Sequence, residues 1–276
     1  MEHAVELGSG TLDAMLALVR RHTGIAMTER KRVLLEGRLR PRLRQPALGS
    51  YEQYLALVQA GGAEVQEFIN MVTTSDTRFF RTPAVWDYFS TQFLPQWRQA
   101  HGGQCLRIWS AAAASGEEAY SAAMLCQEFS RQHPDFRYRI VASDISTDVL
   151  KTAADGCYNG RSADLLRRSH PQLVGRYFKA SGAVLRVAPE LAARIQFVGH
   201  NLLTPLAPAS PFDLVFLRNV LIYFDEENQT RVLEQAATAM AGDARLLLGE
   251  QESITRLNTA FVYEQAHVYR RGAPHG

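Results

Sequence analysis

Apolar positions along this chain recur first at helical spacing and later at strand spacing, so the sequence divides by period before any residue acquires a role. Residues 11–22, 28–43, 51–59 and 63–71 read as helices. Thr28 is a cap candidate for the second, and Pro41 is expected to break or kink it. From residue 106 onward strands and helices alternate. Leu106, Ile108 and the small residues after Trp109 predict a buried strand, and Ser115-Gly116 turns the chain. Residues 117–129 then predict a helix, with Ser115 and Glu118 at capping-box spacing. Residues 137–143 alternate as a second strand that ends in Asp144, and 147–154 reads as the helix after it. Residues 156–169 read as irregular and polar. Residues 176–179 and 184–187, around Ser181-Gly182, predict a short hairpin outside the main sheet. Strands follow at 195–198, 212–217, 245–248 and 261–270, the last antiparallel to its predecessor, with a helix over 228–240, a turn at Gly242-Asp243 and a tail at 273–276. The continuous apolar run 212–217 suits a sheet centre.

This order predicts an α/β protein in three parts. A small all-α domain covers 1–71, and 72–90 is a linker that contributes to a ligand site. A Rossmann-like domain covers 91–276, with a small inserted antiparallel β-subdomain at about 176–188.

Composition narrows the reading. The 276 residues are 46% hydrophobic and 21% charged, as in a globular protein. A net charge of +2 does not mark a nucleic-acid binder. Between Arg20 and Arg44, however, nine basic residues stand against two acids, Glu29 and Glu36, which points to an acidic partner. At 100° per residue Lys31, Arg38 and Arg42 share one stripe beside Leu35 and Leu39, the candidate docking face. Cys105, Cys126 and Cys157 are odd in number and lack metal-ligand spacing, so they read as free thiols and no metal is expected. No segment resembles a signal peptide. The most apolar run, 214–224, is interrupted by Arg218 and Asn219. A soluble, cytoplasmic monomer is expected.

The candidate chemistry lies where the first strand meets its helix. Small residues at a strand tip feeding a helix N-terminus suit a nucleotide-like ligand. There is no Gly-x-Gly-x-x-Gly or Gly-Lys-Ser/Thr, and two carboxylates, Glu117 and Glu118, occupy the place of a phosphate. They would repel pyrophosphate and attract a cation, which favours S-adenosylmethionine, with its ammonium and sulfonium, over NAD or ATP. The bland alternative is that both only cap the helix. Asp144, at the tip of the second strand, suits ribose hydroxyls or, alternatively, caps the following helix. The segment Val72 to Arg81 is polar, then doubly aromatic at Phe79-Phe80, then basic, so it is expected to pack rather than hang free.

Five motifs occur in order: Thr73-Thr-Ser-Asp-Thr-Arg-Phe-Phe-Arg81, Trp109-Ser-Ala-Ala-Ala-Ala-Ser-Gly-Glu-Glu-Ala-Tyr-Ser121, Ala142-Ser-Asp-Ile145, Asn201-Leu-Leu203 and Phe216-Leu-Arg-Asn-Val-Leu-Ile-Tyr-Phe224. With them the chain resembles the chemotaxis receptor methyltransferases, the CheR family, from the basic helices to Tyr269. The resemblance implies methyl transfer from S-adenosylmethionine to glutamate side chains on the cytoplasmic helical bundle of chemoreceptors, with S-adenosylhomocysteine as product. It implies that Thr77, Arg81, Glu117 and Glu118 face the methionine part, Asp144 the ribose, and Asn201, Leu202, Asn219 and Val220 the adenosine, with Ser75 also reaching toward the cofactor. Arg81 and Tyr223 are the expected catalytic pair, Tyr223 facing the transfer centre. Ser75 stands where the family usually has Asn, Ala119 where it has Pro and Leu217 where Cys is common; Gly249-Glu-Gln-Glu-Ser253 departs from the usual Gly-His-Ser-Glu. Members that hold a receptor tail peptide carry a longer loop than Lys179 to Ala183, so no tail-peptide tether is expected here. Competing readings are a small-molecule methyltransferase, a nucleic-acid methyltransferase and a non-catalytic S-adenosylmethionine-binding sensor that docks on receptors.

Overall fold

A computed structural model describes residues 7–44 and 48–272; the expected tail at 273–276 lies outside the described residues. Four helices open the chain, α1 (Ser9–Thr23), α2 (Arg32–Leu43), α3 (Tyr51–Gln59) and α4 (Ala63–Val72), with a 3-10 turn at Glu29–Lys31 ahead of α2. They close around Leu12, Met15, Val19, Leu35, Tyr54 and Phe68, which share one buried cluster. Thr28 makes no side-chain cap bond. Helix α2 runs through Pro41 to Leu43, because a proline near a helix end displaces few internal hydrogen bonds. Beyond the 73–82 segment, α5 (Pro83–Tyr88) continues through a π-helical turn, Phe89–Phe93, into α6 (Leu94–Ala100).

The second part alternates β1 (Cys105–Ser110), α7 (Glu117–Gln132), β2 (Arg137–Asp144) and α8 (Thr147–Asp155). An excursion follows, comprising β3 (Cys157–Tyr158), α9 (Gly160–Ser169), α10 (Pro171–Tyr177), β4 (Phe178–Ser181), β5 (Val184–Val187) and α11 (Pro189–Ala192). The main sheet resumes with β6 (Ile195–Gly199), β7 (Phe212–Leu217), α12 (Glu226–Ala239), β8 (Met240–Leu248), β9 (Phe261–Gln265) and β10 (Val268–Arg271). Its order is β6-β2-β1-β7-β8-β10-β9, parallel from β6 to β8 and antiparallel at β10 and β9. Strand order therefore reverses between β1 and β7, and ligands of open α/β sheets bind outside the carboxyl ends of the strands at such a reversal. Alternation sorts the side chains. Leu214 and Phe216 of β7 face the layer holding α7, while Val215 and Leu217 face the layer holding α12.

Several expectations change, among them the turn at Gly242-Asp243, which lies within β8. Residues 160–169 and 171–177 are helices rather than irregular chain and hairpin, held by buried Ala163, Leu166 and Tyr177. The small sheet has three strands, β3-β5-β4, not two. The final 261–270 strand is a hairpin, and only β10 pairs with β8. Among the described residues no helix is long and apolar enough to cross a membrane.

The helical part and the sheet part share a hydrogen-bonded seam. Ile25 bridges Phe224 antiparallel, and Ala26 N–H donates to the Tyr223 carbonyl at 2.8 Å. Asn201 Nδ2 donates to the His22 carbonyl at 2.9 Å, and Asn70 Oδ1 accepts from Thr147 N–H at 2.9 Å. Gly24, which ends α1 at φ 74°, packs where a Cβ would lie 2.4 Å from Leu203 Cδ1 and 3.1 Å from Phe224 Cε1. Gly24→Ala should therefore lower the stability of the native state by about 1–3 kcal/mol, from the left-handed backbone and the overlap together. Urea titration checks this; an unchanged midpoint would mean the seam gives way freely.

Candidate active site

The carboxyl ends of β1, β2 and β7, the seam and the 73–81 segment enclose a cavity of about 230 Å³. Small side chains make the room. Ala111, Ala112 and Ala114 leave the β1 tip open to it, and Ala114 and Gly116 take positive φ (47° and 92°) as the chain turns into α7. At Gly116 a Cβ would meet Ala153 Cβ at 2.9 Å and the Tyr158 hydroxyl at 3.0 Å, so the tight turn needs glycine on both counts. The expected capping box does not form. Gly116 is the cap residue and no side chain caps it.

The two glutamates part company, as neighbours 100° apart on a helix must. Glu118 faces the cavity. Its Oε1 accepts from the Ser110 hydroxyl at 2.8 Å, and its Oε2 accepts from Arg218 Nη1 at 3.0 Å. Glu117 corrects the expectation: it is 4% exposed and does not line this cavity, and its carboxylate accepts from the Ser115 and Ser162 hydroxyls at 2.6 and 3.2 Å. The cavity end of α7 thus offers one carboxylate, already paired, rather than two.

Arg218, unassigned in the sequence reading, ties the site together. It is 6% exposed, and its Nη2 donates to the Arg81 carbonyl at 2.6 Å. Its guanidinium carbon sits 5.6 Å from the Trp86 ring centroid. Its Nε has no partner among the described residues. The signal in the sequence is a charge interrupting an apolar run.

Asp144 is 9% exposed at the cavity edge. Its Oδ2 accepts from Ala114 N–H and its Oδ1 from Ser146 N–H, both at 2.9 Å, so backbone donors orient it and its remaining lone pairs stay available. Burial pushes the carboxyls of Asp144 and Glu118 upward; backbone donors oppose this at Asp144, and Arg218 and Ser110 at Glu118.

Glu252 also escaped the sequence reading, which could not tell it from Glu250. Its two oxygens accept four backbone N–H groups, from Asn219 (2.7 Å), Val220 (2.8 Å), Leu221 (2.8 Å) and Gly249 (2.7 Å). This holds Asn219 at φ 57° and sets the turn that carries Val220 and Tyr223 into the cavity wall.

Ser75, Thr77 and Arg81 line the cavity from the 73–81 segment. Phe79 and Phe80 anchor that segment. Phe79 meets Tyr158 edge-on at 4.8 Å, and Phe80 stacks on His170 at 4.0 Å. Phe80 and Thr82 adopt φ 51° and 62°, so backbone strain brackets Arg81. Asn201 and Leu202 line the opposite side, with the Asn201 amide engaged by His22 and Leu203. The helical part supplies a wall of its own, with Thr23, Ala26, Met27, Lys31 and Leu34.

The expected basic stripe divides. Lys31 is exposed on the cavity rim. Arg38 donates to the Val72 carbonyl at 2.6 Å and to Thr74 Oγ1 at 2.8 Å. Arg42 forks onto Glu64. These two arginines serve the helical part's own contacts, whereas Arg40 on the same helix and Arg44 just past its end are exposed.

Known proteins resemble this chain over most of its length. The family model for the CheR methyltransferase all-alpha domain matches residues 11–73, and that for the CheR methyltransferase SAM binding domain matches residues 75–270. The chain is 34% identical to the chemotaxis protein methyltransferase of Escherichia coli K12, over 91% of this chain and 87% of that one. It is 34% identical to the protein of the same name from Salmonella typhimurium, over 98% and 92%. It is 37% identical to chemotaxis protein methyltransferase 2 of Pseudomonas aeruginosa, over 84% and 82%.

Two outcomes follow for the cavity. Between the ordinary carboxylate range and their raised values, Asp144 and Glu118 hold protons in the native state that the unfolded chain has released, so they make stability fall as pH rises through that window. A ligand that places an ammonium on Glu118 and hydroxyls on Asp144 favours both carboxylates ionised, so S-adenosylhomocysteine, which carries both groups, should bind more tightly as pH rises through the same window, and binding should release protons. Calorimetry in buffers of different ionisation enthalpy measures that release, which should shrink in Asp144→Asn. Glu252→Gln turns an amide against backbone donors; it should weaken S-adenosylhomocysteine binding about tenfold or more, since hydrogen bonds to a charged group contribute ~1.5–3 kcal/mol each. Unaltered affinity would reduce Glu252 to a loop staple.

Proposed function

The chain belongs to the CheR methyltransferase family, and from that premise we propose that it transfers the methyl group of S-adenosylmethionine to glutamate side-chain carboxylates of chemoreceptors, giving methyl esters and S-adenosylhomocysteine. The observation that carries this reading is the composition of the cavity. Buried acids suited to a cation and to ribose hydroxyls, Glu118 and Asp144, share one space with a wall supplied by the basic helical domain. A small-molecule enzyme has no use for that wall. A non-catalytic sensor has no use for Arg81 and Tyr223 beside the acids.

The cofactor supplies an electrophilic methyl on a sulfonium. The chain's own residues bind, orient and exclude water. Asp144 is suited to accept from ribose hydroxyls, Glu118 to face the ammonium, and Ser75, Thr77 and Arg81 to hold the carboxylate end. Asn201-Leu202 and Asn219-Val220 flank the adenosine. The receptor glutamate is already ionised at neutral pH, so no general base is required. Attack of an anion on a cation disperses charge toward the transition state, so a dry, aligned site favours it. A guanidinium gripping the nucleophile would hold it in place and quench it. Tyr223, neutral at the cavity wall, is better suited to shape the approach.

The domain assignment follows the same reading, with 1–71 docking the receptor, 72–90 contributing to the cofactor site and 91–276 carrying the transfer. Arg40 and Arg44, with Lys31 at the rim, form the exposed basic face. On this reading the enzyme acts in the cytoplasm, where that receptor bundle lies, and as a monomer. In the small sheet Gly182-Ala183 joins β4 to β5 with Ser181 opposite Val184. So tight a turn supports docking without a receptor tail peptide.

Incubating the protein with methyl-labelled cofactor and receptor-rich membranes should label receptor, and mild alkali should release the label as methanol. Alkali-stable label would mean N- or C-methylation and end the proposal. Arg40→Glu combined with Arg44→Glu should raise the Michaelis constant for receptor about tenfold, with affinity for S-adenosylhomocysteine unchanged. Salt should weaken the wild-type reaction, since exposed charges are screened over ~10 Å at 0.1 M.

A further inference from the structure

Beside the cofactor cavity lies a second cleft of about 260 Å³, and the two share Asp76, Thr77, Arg78 and Arg81 along a common wall. The far wall is the first turns of α9, with Arg161, Ser162 and Leu165. Three guanidinium groups therefore line the cleft against one carboxylate, Asp76, which lies 3.9 Å from Arg81 Nη1. Glu117, the acid that does not line the cofactor cavity, acts behind this wall. Its Oε1 accepts from the Ser162 hydroxyl at 3.2 Å and its Oε2 from Ser115 at 2.6 Å, which links the start of α9 to the start of α7. It thereby fixes the helix turn from which Arg161 projects. Arg161 and Leu165 belong to the cleft and not to the cofactor cavity.

We propose that this cleft is an anion subsite for a second carboxylate of the substrate, one carried by the acceptor helix within a turn of the glutamate being methylated. The inference rests on the receptor-methylation reading. Cations are needed to draw an acidic helix to the site, yet a cation on the reacting carboxylate would blunt it as a nucleophile. Arg161 lines the neighbouring cleft and not the cavity, and so separates these demands. On a helix, residues three or four positions apart lie about 5–6 Å from each other on the same face, so a helix that delivers one glutamate to the cavity delivers its neighbour alongside. The reaction then regulates itself. Esterifying or amidating the neighbouring acid deletes the charge that Arg161 and Arg78 attract, and methylation of the remaining glutamate slows.

The test compares the wild-type enzyme with Arg161→Ala and Arg161→Glu on two receptors, one native and one whose acids within a turn of a single retained methylation site are changed to Gln. On native receptor the Michaelis constant should rise about three- to tenfold for Arg161→Ala and further for Arg161→Glu, with kcat and S-adenosylhomocysteine affinity held. On the Gln-substituted receptor the wild-type enzyme should already be weak, and the Arg161→Ala loss should vanish. A loss of equal size on both receptors, or none on either, overturns the subsite. A drop in S-adenosylhomocysteine affinity with the receptor constant unchanged would assign the cleft to the cofactor and also overturn it. A wild-type enzyme that labels neither receptor would instead defeat the receptor reading itself.

Discussion

The site hangs on a buried ion pair. Arg218 and Glu118, with side chains 2% and 12% exposed, meet at 3.0 Å where the tip of β7 faces the start of α7. Each also reaches a third element, Glu118 through Ser110 at the end of β1 and Arg218 through the Arg81 carbonyl. Removing one member of such a pair leaves the other charged and unsolvated, at a cost of about 3–5 kcal/mol. An apolar pair of similar volume could fill the space and match the stability. It could not set the direction of a carboxylate that must face a ligand, nor fix the carbonyl of the residue that carries the other charge. The pair is therefore better understood as fixing geometry than as adding stability.

The same logic extends outward through backbone groups. Glu252 spends both oxygens on four N–H groups, and Asp144 spends one lone pair of each oxygen on the turns after β1 and β2. Carboxylates orient loops here as much as they meet ligands. The helical domain takes part as well. Its Ala26 N–H holds the Tyr223 carbonyl and its His22 carbonyl takes the Asn201 amide, so two residues of the cavity wall are both bonded to the domain proposed to dock the receptor. A force on that domain is felt in the cavity without any intervening linker.

Much of this was legible from residue pattern, for physical reasons. Long amphipathic helices and the apolar β7 run carry strong periodic signals, and glycine after small residues marks a tight ligand-facing turn. Helices α9 and α10 were not legible, because each buries only one or two apolar side chains among arginines and serines and owes its form to packing on the excursion sheet. Strand β3 is two residues long and has no period to read. Within the site, the residues that meet the cavity were recognisable by type. Their separation into Glu118 inside and Glu117 behind was not, because adjacency in sequence hides a 100° rotation. Arg38 and Arg42 misled for the complementary reason: a basic stripe looks the same whether its charges face solvent or are met by Val72 and Glu64.

Charge is the quantity that the reaction alters, and the arrangement of arginines takes its sense from that. The exposed basic residues at the helical part and the α9 cleft are proposed to attract an acidic helix, while in the cavity Arg218 is engaged by Glu118 and Arg81 by the Asp76 carbonyl at 3.1 Å. Arriving, the glutamate is an anion drawn toward a positive surround; leaving, it is a neutral ester on which that attraction has no hold. Binding that depends on charge thus weakens at the moment charge is consumed. On that proposal, the enzyme is spared tight retention of its product.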